Sequence, residues 1–335
     1  MFMEQIETAE ARLRELKVEQ VRKWGGATTD AVLDPQCKTF TKEGIDGFIG
    51  YRLDNQFAVV MGDPIASQEN LLPLTKHFIE TFHNQEKEVI FAIVTESFAR
   101  KVLTKLGYTI LLELCEIPYL DPQFSVLEHT GTKGSLVRRK VRHAKKEGVT
   151  IEEFFNDDEE TRKKIETVGI NWLKKRKGPQ IHISNIRLFE DPKGKRWFYA
   201  KIQDQIVAAL LLNRLDSKKG WLMNRLLLDP QAPHGTPELL VVTALEKLKQ
   251  EDSRFVSFGM IPKARPGKIE GLNPLVSNLT RLGYLIAAKI YRLDGLRGFW
   301  GKFEPSSEPS YVAFNNKGIT ISGIRALMRA FNASV

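Results

Sequence analysis

The hexapeptide Leu103-Thr104-Lys105-Leu106-Gly107-Tyr108 returns in the second half of the chain as Leu279-Thr280-Arg281-Leu282-Gly283-Tyr284. Each copy reads as the end of an apolar-faced helix stopped by glycine, which lacks the Cβ that opposes a left-handed cap. Upstream of the first copy, strand-like runs at 47–53 and 56–61 are joined by Asp54-Asn55, and Gly62-Asp63-Pro64 ends the second run. Helical spacing over 68–84 then puts Leu71, Leu74, Phe78 and Phe82 on one face. A buried strand at 89–94, a helix at 97–106 and a strand at 108–117 follow, and 118–132 reads as a connector. Upstream of the second copy the order repeats. Runs at 197–202, 205–212 and 220–227 alternate as antiparallel strands, with a turn at 216–220. A loop at 229–236, a helix at 237–250 and a short buried strand at 255–258 come next, and Leu228-Asp229-Pro230 stands where Gly62-Asp63-Pro64 stands earlier.

A shared order of elements on both sides points to duplication. Strands that meander into a helix, then another strand and helix, describe the acyltransferase fold of the GNAT type. The predicted class is α/β (α+β): two tandem GNAT-like acyltransferase lobes, with mixed, mostly antiparallel sheets flanked by helices. The expected division is 1–127, a lobe with a leading helix stopped by Gly25-Gly26, and 128–335, a lobe carrying a basic helix and the active site.

The chain has 335 residues, 42% apolar and 27% charged, which suits two folded domains. No stretch reaches the roughly 20 apolar residues of a membrane-spanning helix, and the start lacks the apolar core of a secretory signal. Two cysteines, Cys37 and Cys115, with no Cys/His cluster argue against zinc or a disulfide framework. The expectation is a cytoplasmic protein with no metal. Its net charge of +9 favours a polyanionic partner, nucleic acid or an anionic membrane face.

The turn before the second-half helix tests the usual donor of a GNAT enzyme. Coenzyme A needs a glycine-rich turn whose amides hold the pyrophosphate. Asp229-Pro230-Gln231-Ala232-Pro233-His234-Gly235-Thr236-Pro237 offers a single glycine, and each of its prolines removes an amide donor. Asp63-Pro64-Ile65-Ala66-Ser67 in the first half has no glycine. No coenzyme A and no other cofactor is expected, so the acyl donor is something else.

Positive charge is densest over 133–148, where seven Lys/Arg face one acidic residue. Val137, Val141 and Ala144 make a narrow apolar stripe, with Gly134-Ser135 as expected cap and Gly148 as stop. Arg138, Arg139, Arg142 and Lys145 then face outward, suited to phosphates of RNA or a lipid headgroup. A solvated charged helix is the alternative. Lys174-Lys175-Arg176-Lys177 after Trp172 also suits a helix C-terminus, and the segment 321–335 reads as an amphipathic helix packed on the second lobe or lying on a membrane.

The ordered set Gly62-Asp63-Pro64, the 138–148 helix, Trp172 with Lys177-Gly178-Pro179-Gln180-Ile181-His182, Trp197-Phe198-Tyr199-Ala200, Gly235-Thr236-Pro237-Glu238-Leu239-Leu240, Ser257-Phe258-Gly259, and Lys302-Phe303 leading to Pro309-Ser310-Tyr311 resembles one family. It is similar to the catalytic domain of the tRNA-dependent lipid aminoacyltransferases, which include bacterial phosphatidylglycerol lysyl- and alanyltransferases and fungal synthases that place aspartate or glycine on ergosterol. The 177–182 stretch looks closer to the sterol branch. The resemblance implies an enzyme that moves an amino acid from aminoacyl-tRNA to a lipid hydroxyl, reaching its membrane peripherally and taking charged tRNA made elsewhere.

Under that resemblance, Glu238 at the start of its helix holds the α-amino group or acts as base, against the plainer reading of a carboxylate on a helix dipole. Arg225 on the preceding strand faces the same pocket or, by alternation, solvent. Gln180 and His182 share a face if extended, with His182 as proton relay. Asp63, Trp172, Phe258, Gly259 and Lys302 complete the expected substrate site. Transfer to a peptide or peptidoglycan precursor, a coenzyme A-dependent N-acyltransferase, and a non-enzymatic RNA-binding module remain the alternatives.

Overall fold

The computed structural model describes residues 2–175 and 186–333, with the side chains of 2–9 and of Thr29 outside the description. Helix α1 (Phe2–Trp24) precedes the strands β1 (Lys38–Lys42), β2 (Ile45–Asp54), β3 (Phe57–Met61) and β4 (Ile65–Ala66). Helix α2 (Leu71–His83), strand β5 (Glu88–Thr95), helical turn α3 (Glu96–Phe98), which continues irregularly to Leu106, and strand β6 (Ile110–Leu120) complete the first half. The second half runs α4 (Gly131–Lys146), β7 (Val149–Phe154), α5 (Glu159–Lys175), β8 (Lys195–Ile202), β9 (Gln205–Leu215), β10 (Gly220–Leu228), α6 (Thr236–Gln250), β11 (Val256–Ser257), β12 (Ile261–Pro262), β13 (Ile269–Glu270), α7 (Pro274–Ile290), α8 (Gly295–Trp300), β14 (Ser306–Phe314) and α9 (Ile321–Ala330).

The strands form one continuous sheet in the order β1-β2-β3-β5-β14-β6-β11-β10-β9-β8-β7. Pairing is antiparallel except at one place in each half. β3 runs parallel to β5, and β10 parallel to β11, each pair connected through a helix. That shared exception carries the duplication, because a parallel neighbour requires a crossover whereas a meander does not. Two tandem GNAT-like lobes are therefore joined edge to edge through β6, which takes β14 on one side and β11, β12 and β13 on the other.

Each lobe buries both faces of its sheet. In the first, α2 covers one face with Leu74, Phe78 and Phe82, while Val18 and Val21 of α1 and Ala326, Leu327 and Ala330 of α9 cover the other. In the second, α4 and α6 pack on one face and α5 on the other.

Three expectations change. The boundary expected at 127/128 is crossed by β14 and α9, which return to the first lobe; α9 packs on β2, β3 and β5, not on the second lobe. Its small buried face fits there, and Arg52 holds it by donating to the Ala330 carbonyl at 2.6 Å. The second hexapeptide does not close a helix. Gly107 adopts φ +85 as a left-handed cap, whereas Gly283 lies inside α7, where the strong helix formers Leu285, Ala287 and Ala288 follow. Finally, α4 starts at Gly131 after Thr130, so Gly134 lies within the helix, where a Cβ would stand 2.0 Å from the His129 carbonyl oxygen.

Candidate active site

Helix α6 opens under tight steric control. Gly235 takes φ +93, and a Cβ there would lie 2.1 Å from the Lys140 carbonyl oxygen, so α4 crosses directly over this turn. His143 Nδ1 lies 3.0 Å from the His234 carbonyl and fastens the crossing. The turn uses its own amides: Gln231 N donates to Asp229 Oδ1 at 3.0 Å, Ala232 N to Asp229 O at 3.0 Å and Thr236 N to Pro233 O at 3.2 Å.

Glu238 follows in the first turn of α6, its side chain 3% exposed. A carboxylate buried to that degree needs a partner, and Lys302 supplies one, with Nζ 2.7 Å from Oε1. Lys302 comes from the turn after α8. Its ammonium also stands 4.6 Å over the Phe299 ring and its side chain remains 23% exposed, so the pair sits at the mouth of a buried wall. Trp300 stacks on Phe258 at 4.2 Å with Phe303 fully buried behind. Gly259 bends the chain away with φ +77, and its amide donates to Ser257 Oγ at 3.2 Å. β10 and β11 pair only over Trp221–Leu222 with Val256–Ser257 and then part. Thus Glu238 and Lys302 meet beside the apolar cluster that holds Phe258, Trp300, Phe303 and Leu239 together with Val137 and Val141 of α4, and Gly259 follows Phe258 out of it. The arrangement offers one buried carboxylate and a cation with N–H donors to spare.

Arg225 is not part of it. A bulge between Met223 and Arg225 upsets the alternation, and Arg225 pairs with Leu211 on the sheet face that α5 covers, opposite α6. There it lines a cavity of about 20 Å³ with Arg14, Asp30, Lys195 and Asn224. Asp30 is the centre of that region. Arg22 Nη1 stands 3.0 Å from Oδ1, Lys195 Nζ 3.5 Å from Oδ2, and Asn224 Nδ2 donates to Oδ2 at 3.0 Å. Burial pushes the Asp30 carboxyl up, yet Lys195 and Arg22 outweigh it and hold it below the ordinary carboxylate range. With Arg14 bound to Asp191 at 2.6 Å and Arg22 donating to the Lys193 carbonyl at 3.0 Å, α1 is tied to the second lobe. Nothing in the sequence pattern singles out Asp30, Arg22 or Lys195. The one signal is the Asp30 position after a Gly25-Gly26 break, too common to act on.

Asp63 lies in the first lobe. Its two oxygens accept from Thr95 N at 2.9 Å and Thr95 Oγ1 at 2.6 Å, while Thr95 Oγ1 caps α3 by accepting from Phe98 N at 3.2 Å. Burial raises its pKa to about 6. Asp63 is thus a turn-shaping residue linking β3 to the β5–α3 junction. Trp172 packs against the cluster beneath α5. Gln180 and His182, with the rest of the 177–182 stretch, lie outside the described residues.

The basic helix keeps its predicted apolar stripe of Val137, Val141 and Ala144. Arg138 departs from the outward set. Its Nη1 donates to the carbonyls of Leu127 at 2.9 Å and His129 at 2.7 Å, fixing the connector. Arg139, Arg142 and Lys145 are exposed, and among the described residues no acidic side chain pairs with them. No group of described residues has metal-ligand geometry, and no described helix is long and apolar enough to cross a membrane.

The class these features define is a tandem GNAT-like fold. Comparison with known proteins makes it specific: residues 27–314 match the family model for the phosphatidylglycerol lysyltransferase C-terminal domain, and the chain belongs to that family. It is similar to the C-terminal domain of a putative lysylphosphatidylglycerol synthetase from Agrobacterium fabrum, at 18% identity and a TM-score of 0.75 over 94% of this chain and 95% of that one. L-PGS from Bacillus licheniformis aligns at 17% identity and a TM-score of 0.74, over 96% and 97%. FemX shares the fold more distantly, at 11% identity and a TM-score of 0.51 over 91% and 96%. No curated protein matches the sequence.

Proposed function

We propose that this protein transfers an aminoacyl group from aminoacyl-tRNA to the hydroxyl of a membrane lipid, a sterol or a phosphatidylglycerol-type glycerolipid, and that Glu238 and Lys302 form its reacting centre. The observation that carries the reading is the buried Glu238–Lys302 pair, on elements that pack against the cation-bearing helix α4, in a chain of the phosphatidylglycerol lysyltransferase family. The lipid hydroxyl oxygen attacks the ester carbonyl, forming a new C–O bond and an oxyanion. Collapse breaks the bond to the terminal ribose, whose oxygen receives the proton lost by the hydroxyl. One ester replaces another, so no energy source is needed. Lys302 donates to the developing oxyanion while Glu238 holds it in place and accepts from the α-ammonium of the donor. Arg139, Arg142 and Lys145 bind acceptor-stem phosphates. The close crossing of α4 over Gly235, with the turn's amides engaged internally, supports a donor other than coenzyme A, and no cofactor is required.

The test is incubation with a set of labelled aminoacyl-tRNAs and total lipid extract. Label in a chloroform-soluble product, absent with Lys302→Met, is expected. Absence of such a product with every amino acid sinks the reading, and acetyl transfer from labelled acetyl-coenzyme A instead would replace it.

A further inference from the structure

Helix α7 is inside out. Leu275, Leu279, Leu282, Ile286 and Ile290 recur at helical spacing, and they are 71, 60, 56, 54 and 51% exposed. The face turned to the protein is the polar one. Tyr284 donates to the Lys263 carbonyl at 2.6 Å and Arg281 to the Pro266 carbonyl at 3.0 Å, with Ala287 and Ala288 beside them. No residue of α7 is buried. Below it, Glu113 accepts from the Lys268 amide at 2.9 Å and pairs with Lys263, which ties the loop to β6. Asn273 caps the helix by accepting from Val276 N at 2.9 Å. The helix is therefore preformed, with its aliphatic stripe aimed at solvent. An ordinary surface helix does the reverse.

Charge decides what covers it. Residues 263–302 hold eight Lys/Arg against Glu270 and Asp294. Lys263, Arg297 and Lys302 are paired with Glu113, Glu116 and Glu238, which leaves Arg265, Lys268, Arg281, Lys289 and Arg292 as the basic residues of this face. Arg265, Lys268, Lys289 and Arg292 are not buried. A second copy of this face would set like charge against like, whereas an anionic bilayer offers both acyl chains and phosphates. We propose that α7 lies in the plane of an anionic lipid surface, its Leu/Ile stripe in the acyl boundary and Lys289 and Arg292 on lipid phosphates. The chain continues from α7 through α8 to Trp300 and Lys302, so the proposed docking helix and the candidate site belong to one stretch of chain. This deepens the lipid-acceptor reading and rests on it for its purpose, though binding itself is measured without turnover.

The experiment is flotation of the whole chain with phosphatidylcholine vesicles, with and without phosphatidylglycerol. Wild type should float with the anionic vesicles and release as salt rises. Leu279→Glu with Ile286→Glu, which alters only exposed side chains, should weaken flotation about tenfold or more while keeping the wild-type melting temperature. Lys289→Glu with Arg292→Glu should lose the preference for phosphatidylglycerol. Transfer to detergent-dispersed lipid should survive in the leucine/isoleucine variant. Equal flotation of that variant and wild type overturns the proposal, as does a dimer that the variant dissolves. Flotation without transfer to any lipid instead fails the catalytic reading and leaves the docking surface standing.

Discussion

Replacing Lys302 by methionine separates a catalytic pair from a structural one. The ammonium is the partner seen for a carboxylate only 3% exposed, 2.7 Å away. Its removal strands Glu238 in an apolar wall. Breaking a buried pair costs roughly 3–5 kcal/mol, and the helix N-terminus beneath Glu238 offsets part, so about 3 kcal/mol is expected. Urea unfolding of Lys302→Met should show that loss. Lys302→Met with Glu238→Gln removes both charges and should recover most of the stability, because the uncompensated carboxylate is gone. Activity should not recover. Loss of one oxyanion donor costs roughly 10²–10³ in rate, and the double variant still lacks it. The assay is label transfer to lipid alongside denaturation of wild type, each single variant and the double variant. If the double variant regains transfer, the pair only supports the fold. If Lys302→Met unfolds like wild type, the buried-pair argument is wrong at its base.

Asp30→Asn leaves fully buried Arg22 and nearly buried Lys195 without their anion, but both also donate to backbone carbonyls, so a loss of about 3 kcal/mol by urea unfolding is expected. Because Asp30 is held below the ordinary carboxylate range, its stabilisation exists above the unfolded pKa and disappears as pH falls through the folded one; the variant should lack that acid-side loss in pH-dependent melts. Asp63 has the opposite sign. Raised from 3.8 to about 6, it stabilises most below its unfolded value and loses this as pH rises through about 6, so the stability difference between wild type and Asp63→Asn should shrink or reverse by roughly 2–3 kcal/mol between acid and neutral pH. Desolvation pushes the thiols of Cys37 and Cys115 up to about 12 although both residues are half-buried, so labelling by a thiol reagent near neutral pH should be slow for want of thiolate and speed up as denaturant restores the ordinary thiol pKa. Neutralising Arg139, Arg142 and Lys145 should flatten the salt dependence of tRNA binding by about one unit of slope for each phosphate no longer neutralised, measured by filter binding.

What could be read from the sequence divides by the distance over which its cause acts. The stripe of Val137, Val141 and Ala144, the Leu74-Phe78-Phe82 face and the Gly107 cap are local facts, set by periodicity or a single φ, and the structure has each of them. The site residues Glu238, Phe258, Gly259 and Lys302 follow from resemblance, but their meeting depends on a turn some 60 residues from α6 folding back. Other features depend on tertiary context. Arg225 changes face because a bulge consumes one residue of the alternation. β14 is invisible as a central strand, since Pro309 argues against a paired interior. The structure resolves this by pairing 306–309 only with β6 and starting the β5 ladder at Ser310.

The repeated hexapeptide shows the same division most sharply. Identical Leu-Gly-Tyr sequences end one helix and sit inside another, so the glycine permits a stop without commanding it. In the first copy Tyr108 turns into the core, 3% exposed, and β6 draws the chain away into the sheet. In the second, Tyr284 instead reaches the Lys263 carbonyl with its hydroxyl, on the side of α7 opposite the exposed Leu282 and Ile286. The same six-residue pattern thus ends a helix against the core in one half and lies within an exposed apolar ridge in the other. The second lobe has given up burying that ridge against itself, which is the physical reason to look for its partner in a lipid surface.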